Sequence, residues 1–256
     1  MENFLLLFVL FCLGACFGSF IHAWVYRKHH GQSIFRGRSK CIHTEKALRW
    51  FENIPLVSFI LQGGRSRYTK ERLSYTFFLA ELGFALGFCL ILLADQYAFS
   101  LLFFRNLILF CILGFTFFYD LKFGEIHDAW STLPAVLLLP FAVFFGWQSF
   151  NSLAWGILIG FGFFFLQYML SKGRWIGGGD VRLGFFMGVI LGFPGILVAL
   201  MLAYVGGALV SLVLVALKKK TLASQTPFGT YLSIATFATL LWGTAVIDWY
   251  LRFLTV

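Results

Sequence analysis

Charge is scarce in this sequence. Asp, Glu, Lys and Arg together make up 12% of its 256 residues, and 60% are hydrophobic. A soluble domain carries about 25% charged residues, so this composition excludes an ordinary water-solvated globule and makes lipid the main solvent. Acid is the scarcer sign, eleven Asp/Glu against twenty Lys/Arg, which leaves a net charge of +9. Cysteine is present without pairing. Cys12, Cys16, Cys89 and Cys111 lie in apolar runs, and Cys41 alone lies in a polar one. That spacing supports neither a disulfide framework nor a zinc site. The opening MENFLLLFVLFCLGACFGSF lacks the basic start of a signal peptide, so it reads as a retained span.

What the sequence does have is long apolar runs. A membrane helix needs about 20 apolar residues. The pattern predicts an all-α, polytopic membrane protein with about eight helices: Phe4–Val25, Leu73–Ala94, Ala98–Tyr119, Ala129–Trp147, Asn151–Ser171, a short Val181–Leu191, Ile196–Leu217 and Thr230–Leu251. The short one ends at Gly192-Phe193-Pro194-Gly195 and is expected to stop part-way, buried among its neighbours. Arg105 falls inside the third helix, which implies either snorkelling to the headgroups or a later helix start.

The positive charge is clustered. Between Arg27 and Arg72 there are eleven Lys/Arg against three acids. A basic loop beside membrane spans marks the cytoplasmic side, a better account of it than nucleic acid, for which no partner role is expected. The long loop after the first helix is then cytoplasmic and the N-terminus is outside. The connections at 120–128, 172–180 and 218–229 fall on the cytoplasmic side too and carry Lys122, Lys172, Arg174 and the triple lysine Lys218–Lys220. The opposite turns at 95–97, 148–150 and 192–195 have no Lys or Arg. The chain divides into residues 1–94, with the first two spans and the loop, and residues 95–256.

Few acids remain at membrane depth. Asp120 closes the run Phe117-Phe118-Tyr119, and Asp180 follows Gly177-Gly178-Gly179. The alternation puts both on one face of the membrane. Intramembrane ionisable residues are costly and are by default functional candidates. Two carboxyls brought together share a proton, the arrangement with which aspartic proteases activate water and protonate a scissile carbonyl. Glycines leave a backbone free to take unusual φ/ψ and to lie close to a substrate chain. The dipole of the helix that starts at Asp180 favours its anion, which points to Asp180 as the base. The same residues also fit a helix N-cap at Asp180 and a helix end at Asp120, so spacing alone leaves both readings open. Glu81, two turns into the second helix, is expected to pair with Arg27 or Arg72.

Taken together, these segments resemble the type IV prepilin peptidase family. Gly177-Gly178-Gly179-Asp180-Val181-Arg182-Leu183 is similar to its Gly-x-Gly-Asp motif, and Asp120 with Ile126-His127-Asp128 is similar to its other catalytic segment. Gly18-Ser19-Phe20, Arg27, Glu52-Asn53-Ile54-Pro55 and Thr226-Pro227-Phe228-Gly229 follow in family order. The resemblance implies a bacterial inner-membrane aspartyl peptidase in which Asp120 and Asp180 cut the short leader of prepilin or pseudopilin precursors, with Gly177, Gly178, Gly179, Asp128, Pro227, Phe228 and Gly229 around them. It also implies N-methylation of the new terminus with S-adenosylmethionine, through Arg27, Glu52, Asn53 and Glu81. The substrates would belong to type IV pili, type II secretion or competence pili.

Departures concentrate in the first part. Many members bind zinc with two Cys-x-x-Cys pairs. Here the first reads Cys41-Ile42-His43-Thr44 and the second Ser66-Arg67-Tyr68-Thr69, so no zinc is expected, because a structural site takes four ligands. His22 stands for a usual Asn, Thr76 for an Arg and Phe78 for a Pro. A peptidase that has lost methylation is therefore one alternative. A proton-coupled transporter, an inactive pilus-assembly scaffold and a presenilin-like protease are the others.

Overall fold

The computed structural model describes residues 2–34, 47–221 and 226–255. Among these residues the chain is helical, and Arg65 and Arg72 form an isolated antiparallel β-bridge. The helices are α1 Glu2–His29, α2 Val57–Leu61, α3 Tyr75–Ala94, α4 Leu101–Phe123, α5 Thr132–Phe144, α6 Phe150–Ser171, α7 Gly178–Ala216 and α8 Phe228–Leu254, with 3-10 turns at Trp50–Asn53 and Asp128–Trp130. Among the described residues, six helices are long and apolar enough to cross a membrane: α1, α3, α4, α6, α7 and α8. The chain forms two units, residues 1–111 and 112–256.

In the first unit, α1 packs on α3 through glycine. A Cβ on Gly14 would lie 2.8 Å from Ala85 Cα, and one on Gly18 would lie 2.8 Å from Glu81 Cα. Lipid offers apolar helices no hydrophobic drive to associate, so close backbone approach at small residues four apart holds them together. Ser74 caps α3 by accepting from Thr76 N at 3.3 Å. Arg105 lies only about one turn into α4, because that helix begins at Leu101 and not at Ala98. The guanidinium donates to Asn106 Oδ1 from Nε at 3.1 Å and from Nη2 at 2.9 Å, and it feels the charge of Asp95. Arg105 thus has partners at the helix start. Asp95, just beyond α3, is pushed above the ordinary carboxylate range by burial, with Arg105 opposing.

The second unit departs from the expected helix lengths at α5. Asp128–Trp130 forms a 3-10 turn and Ser131 leaves helical geometry (φ −123°, ψ −68°), so α5 starts at Thr132 and has 13 residues. At 1.5 Å per residue it is about 20 Å long, short of the ~30 Å hydrocarbon core. α7 is interrupted where the Gly192-Phe193-Pro194-Gly195 stretch was expected to end a short helix. Gly192 (φ 59°, ψ −168°) and Phe193 (φ −98°, ψ 136°) break it into arms Gly178–Leu191 and Pro194–Ala216.

The two arms fold back on each other. Gly160 of α6 packs on Gly184, while Gln167 Nε2, two turns further along α6, donates to Tyr204 Oη at 3.1 Å. Gly184 and Tyr204 would be about 30 Å apart on a straight helix, whereas Gly160 and Gln167 are only about 10 Å apart. Both contacts hold only if the chain reverses between the arms. A backbone break at membrane depth needs internal partners, and α6 supplies them. Gln148 Nε2 donates to Ile190 O at 3.0 Å. Ser152 Oγ accepts from Phe193 N at 3.1 Å and lies 2.8 Å from both Phe193 O and Gln148 Oε1. The first arm is buried on nearly every side, as its all-round apolar sequence requires. Gly156 and Gly160 on α6 face Gly184 and Gly188 on this arm, and a Cβ at Gly156 would meet Gly188 O at 2.6 Å.

Candidate active site

Asp120 and Asp180 reach one site from different helices. Asp120 lies in the last turn of α4, 4% exposed, and Asp180 in the first turn of α7, 9% exposed. Each carboxyl sits at a helix N-terminus, where unpaired amides and the positive end of the dipole stabilise an anion. Asp120 Oδ2 accepts from Thr230 N at 2.9 Å, and Gly229 N donates to the same carboxyl. These are first-turn amides of α8, which begins after Pro227. Asp180 Oδ2 accepts from Gly177 N at 3.2 Å, the N3-to-N-cap half of a capping box. Asp180 is therefore a helix cap and a member of the pair at once. The charge of Asp120 acts on Asp180 across the site. Because both carboxyls enjoy a helix N-terminus, the dipole argument that singled out Asp180 as the base does not separate them.

Ile126 ties the two sides together. A Cβ on Gly179 would lie 2.8 Å from Ile126 Cβ, and a Cβ on Gly229 would lie 2.8 Å from Ile126 Cδ1 and 3.0 Å from Asp120 Oδ2. One aliphatic side chain thus fills the space between the glycine before Asp180 and the glycine behind Asp120. The sequence reading quoted Ile126 in a motif without giving it a role and placed Asp128 among the residues around the two aspartates. Asp128 pairs with Arg182 at the surface, tying the 124–131 loop to α7. An exposed pair of this kind contributes about 0–1 kcal/mol.

The three glycines differ in use, and none needs unusual φ/ψ. Gly177 has φ −79°, and neither Gly178 nor Gly179 has a positive φ. This corrects the expectation of special backbone conformations there. Gly179 is glycine because Ile126 leaves no room. At Gly177 and Gly178 a Cβ would meet nothing closer than 3.9 Å, so these two present open backbone beside Asp180. Phe228 packs under the site, its ring 4.9 Å from Tyr204 and 6.3 Å from Phe164.

The remaining candidates lie in the first unit. Glu81, buried in α3, accepts from Leu56 N at 2.7 Å and from the Ser19 hydroxyl. Arg27 Nη1 donates to Ile34 O at 3.0 Å. Glu81 is thus held by a backbone amide and a serine, not by the Arg27 or Arg72 pairing expected for it. Leu56 takes φ 63°, rare for a branched side chain, and Glu81 secures that bend. Glu52 Oε2 accepts from Arg49 N at 2.7 Å and from Tyr68 Oη at 3.0 Å. Glu52 is buried and Asn53, beside it, is exposed. Partial burial, with the Glu52 carboxylate next to it, pushes the Tyr68 phenol above its ordinary value.

Two family models match the chain: the bacterial peptidase A24 N-terminal domain over residues 12–94 and the type IV leader peptidase family over residues 107–212. The prepilin leader peptidase/N-methyltransferase of Aeromonas hydrophila is 30% identical over 219 residues, which cover 84% of this chain and 74% of that relative. The chain belongs to the type IV leader peptidase family. The proteins of the same name from Stutzerimonas stutzeri and Pseudomonas putida are 29% and 27% identical, covering 86% and 90% of this chain and 77% and 88% of the relatives. No solved structure matches.

Two of the departures from the family's pattern, His22 and Thr76, meet in space. His22 Nε2 lies 3.3 Å from Thr76 Oγ1, and the His22 ring packs 4.2 Å from Phe77. Phe78 packs on Phe59 with ring centroids 5.2 Å apart. At the second cysteine-pair position, Ser66 Oγ accepts from Tyr68 N at 3.3 Å and Thr69 N at 3.4 Å, so a hydroxyl closes that turn. Cys41 and His43 lie outside the described residues. No metal-spaced group of His, Cys, Asp or Glu occurs among the described ones.

Proposed function

We propose that this chain is a membrane aspartyl endopeptidase that removes the short leader of type IV prepilin-like precursors, with Asp120 and Asp180 as its catalytic pair. The observation that carries the reading is the meeting of two buried carboxyls, each at a helix N-terminus, beside the open backbone of Gly177 and Gly178. In the reaction one carboxylate takes a proton from water as its oxygen attacks the scissile carbonyl. The other carboxyl gives its proton to the carbonyl oxygen. Collapse of the tetrahedral intermediate then releases an acid and an amine, with the proton passed to the leaving nitrogen. Both aspartates accept backbone amides, so either can hold the shared proton, and the pair acts as a unit. Ile126, Gly179 and Gly229 set the spacing, and the Asp128–Arg182 pair steadies the loop that carries Ile126.

The first unit carries the methyl transfer in this reading. S-adenosylmethionine supplies an electrophilic methyl group when bound. Glu52 and Asn53 fit a role in holding it: Glu52 Oε1 is buried and makes no hydrogen bond among the described residues, and it is an acceptor for a hydroxyl or ammonium. Glu81 and Arg27 hold the backbone around that segment. We place the protein in the bacterial inner membrane, with the basic loop and both aspartates on the cytoplasmic side and the N-terminus outside. In this topology the chain has eight helical segments, counting α5 and both arms of α7.

Co-expression with a candidate precursor tests the reading. Leader removal is followed by gel shift, and mass spectrometry of the product N-terminus reports methylation. Asp120→Ala and Asp180→Ala each leave the precursor intact. Normal processing by either variant refutes the pair, and a product lacking the mass of a methyl group refutes the second activity.

A further inference from the structure

Outside the six spanning helices, the first unit exposes a compact apolar face. It is made by Val57, Ile60 and Leu61 of α2 together with Ile54 and Trp50 of the preceding turn, and Leu61 and Trp50 are 81% and 76% exposed. Positions 57, 60 and 61 follow the i, i+3, i+4 spacing of one helix face. The opposite side of α2 is anchored. The Phe59 ring packs 5.8 Å from Tyr75 and 5.2 Å from Phe78. Those two residues form the first turn of α3, a spanning helix. α2 therefore sits at the level where α3 leaves the hydrocarbon.

The rim of this face is basic. Between residues 49 and 72 there are five Arg/Lys against two Glu. Arg49, Arg65, Arg67, Lys70 and Arg72 are all exposed, against Glu71 as the one exposed acid, while Glu52 is buried. Exposed apolar side chains ringed by Arg and Lys, at the depth of a span's end, match the chemistry of an anionic bilayer surface. They do not match a basic peptide, which this rim would repel. The Trp at the edge suits the same depth, where amphipathic rings gather.

We propose that the segment Trp50–Leu61 is an interfacial anchor whose apolar face enters the headgroup layer of an anionic bilayer. It thereby holds the strained Leu56 bend and the buried Glu52 against the membrane surface. This inference stands apart from the peptidase reading, since it rests on the first unit alone.

The test uses full-length protein reconstituted into bilayers, with the five native cysteines replaced. An environment-sensitive fluorophore is attached at Ile60→Cys. At position 60 we expect shielding from a water-soluble quencher and strong quenching by a headgroup-level nitroxide lipid, several-fold greater when anionic lipid is included. Leu61→Glu in the Ile60→Cys background restores access of the aqueous quencher. The proposal is overturned by free aqueous access at position 60 in anionic bilayers. Equal shielding with and without anionic lipid overturns it too. So does shielding without nitroxide quenching, which means that protein covers the face, or shielding that requires added precursor, which gives the face to substrate.

Discussion

The contact of Ile126 with two glycines allows a test at the level of single atoms. A methyl added at Gly229 would meet Ile126 Cδ1 at 2.8 Å and Asp120 Oδ2 at 3.0 Å, while one added at Gly179 would meet Ile126 Cβ at 2.8 Å. Overpacking of this kind costs roughly 1–3 kcal/mol. Displacing a reacting carboxyl by about 1 Å lowers turnover by about a hundredfold. Both Gly229→Ala and Gly179→Ala should therefore lose stability by roughly 1–3 kcal/mol and most of their cleavage activity. The second-site response differs between them. Ile126→Val removes Cδ1 and keeps Cβ, at a cost of about 0.5–1.5 kcal/mol by itself. It relieves the Ile126 clash in Gly229→Ala and leaves the clash in Gly179→Ala. Thermal unfolding in detergent and precursor cleavage on the three single and two double variants should show a favourable coupling of about 0.5–3 kcal/mol for the 126/229 pair and almost none for 126/179. Equal rescue of both glycine variants, or rescue of Gly179→Ala alone, refutes the wedge geometry.

Gly178→Ala has space for its methyl, so its melting temperature should match or exceed wild type while KM for the precursor rises; unchanged KM means that the open backbone is not a substrate path. Ser152→Ala strips Phe193 N and O of their partner at the α7 reversal and should cost about 1–3 kcal/mol, read as earlier unfolding in a denaturant titration. Ser66→Ala removes the acceptor of two amides and should cost about 1 kcal/mol, and a chelator should leave the melting temperature of the wild-type protein unchanged. The Tyr68 phenol is raised in the folded protein. Its contribution to stability is thus present below the unfolded value near pH 10 and lost as pH rises through the folded one, so Tyr68→Phe should flatten the alkaline limb of the stability profile.

Much of this architecture can be read from apolar run length, because lipid admits only chains that satisfy their own backbone. The runs at α1, α3, α6 and α8 could be located that way to within a few residues. Composition does not show what happens at α5, where Ser131 breaks the helix although the surrounding residues remain apolar. The reversal at Gly192-Phe193 was legible from its glycines and proline, but its hydrogen-bond partners, Gln148 and Ser152, lie about 40 positions away in an otherwise plain stretch. Asp120 and Asp180 stood out because a carboxylate at membrane depth is costly. Ile126 did not, since an isoleucine among apolar residues looks like any other until the glycines on either side of it are seen in space. The triple glycine was misread for a related reason. Sequence shows that side chains are missing there, and only the neighbours tell whether the lost volume serves backbone conformation, packing or an open path.

The altered residues of the first unit bear on what that unit still does. A fold relieved of its function drifts, and substitutions accumulate singly, each leaving a mismatch where it falls. Here His22 stands against Thr76, 54 positions away, at 3.3 Å, and Phe78 stands against Phe59. Ser66 closes a turn with its hydroxyl, accepting from two backbone amides. Such contacts tie together the segment that holds Glu52 and the bent Leu56. Glu81 and Tyr68 fix that segment from opposite ends. A positive φ at Leu56 costs of order 1–3 kcal/mol, and a chain with no use for the bend could relax it by one substitution to glycine. Glu81 braces that strain, so the first unit holds a defined backbone bend beside Glu52.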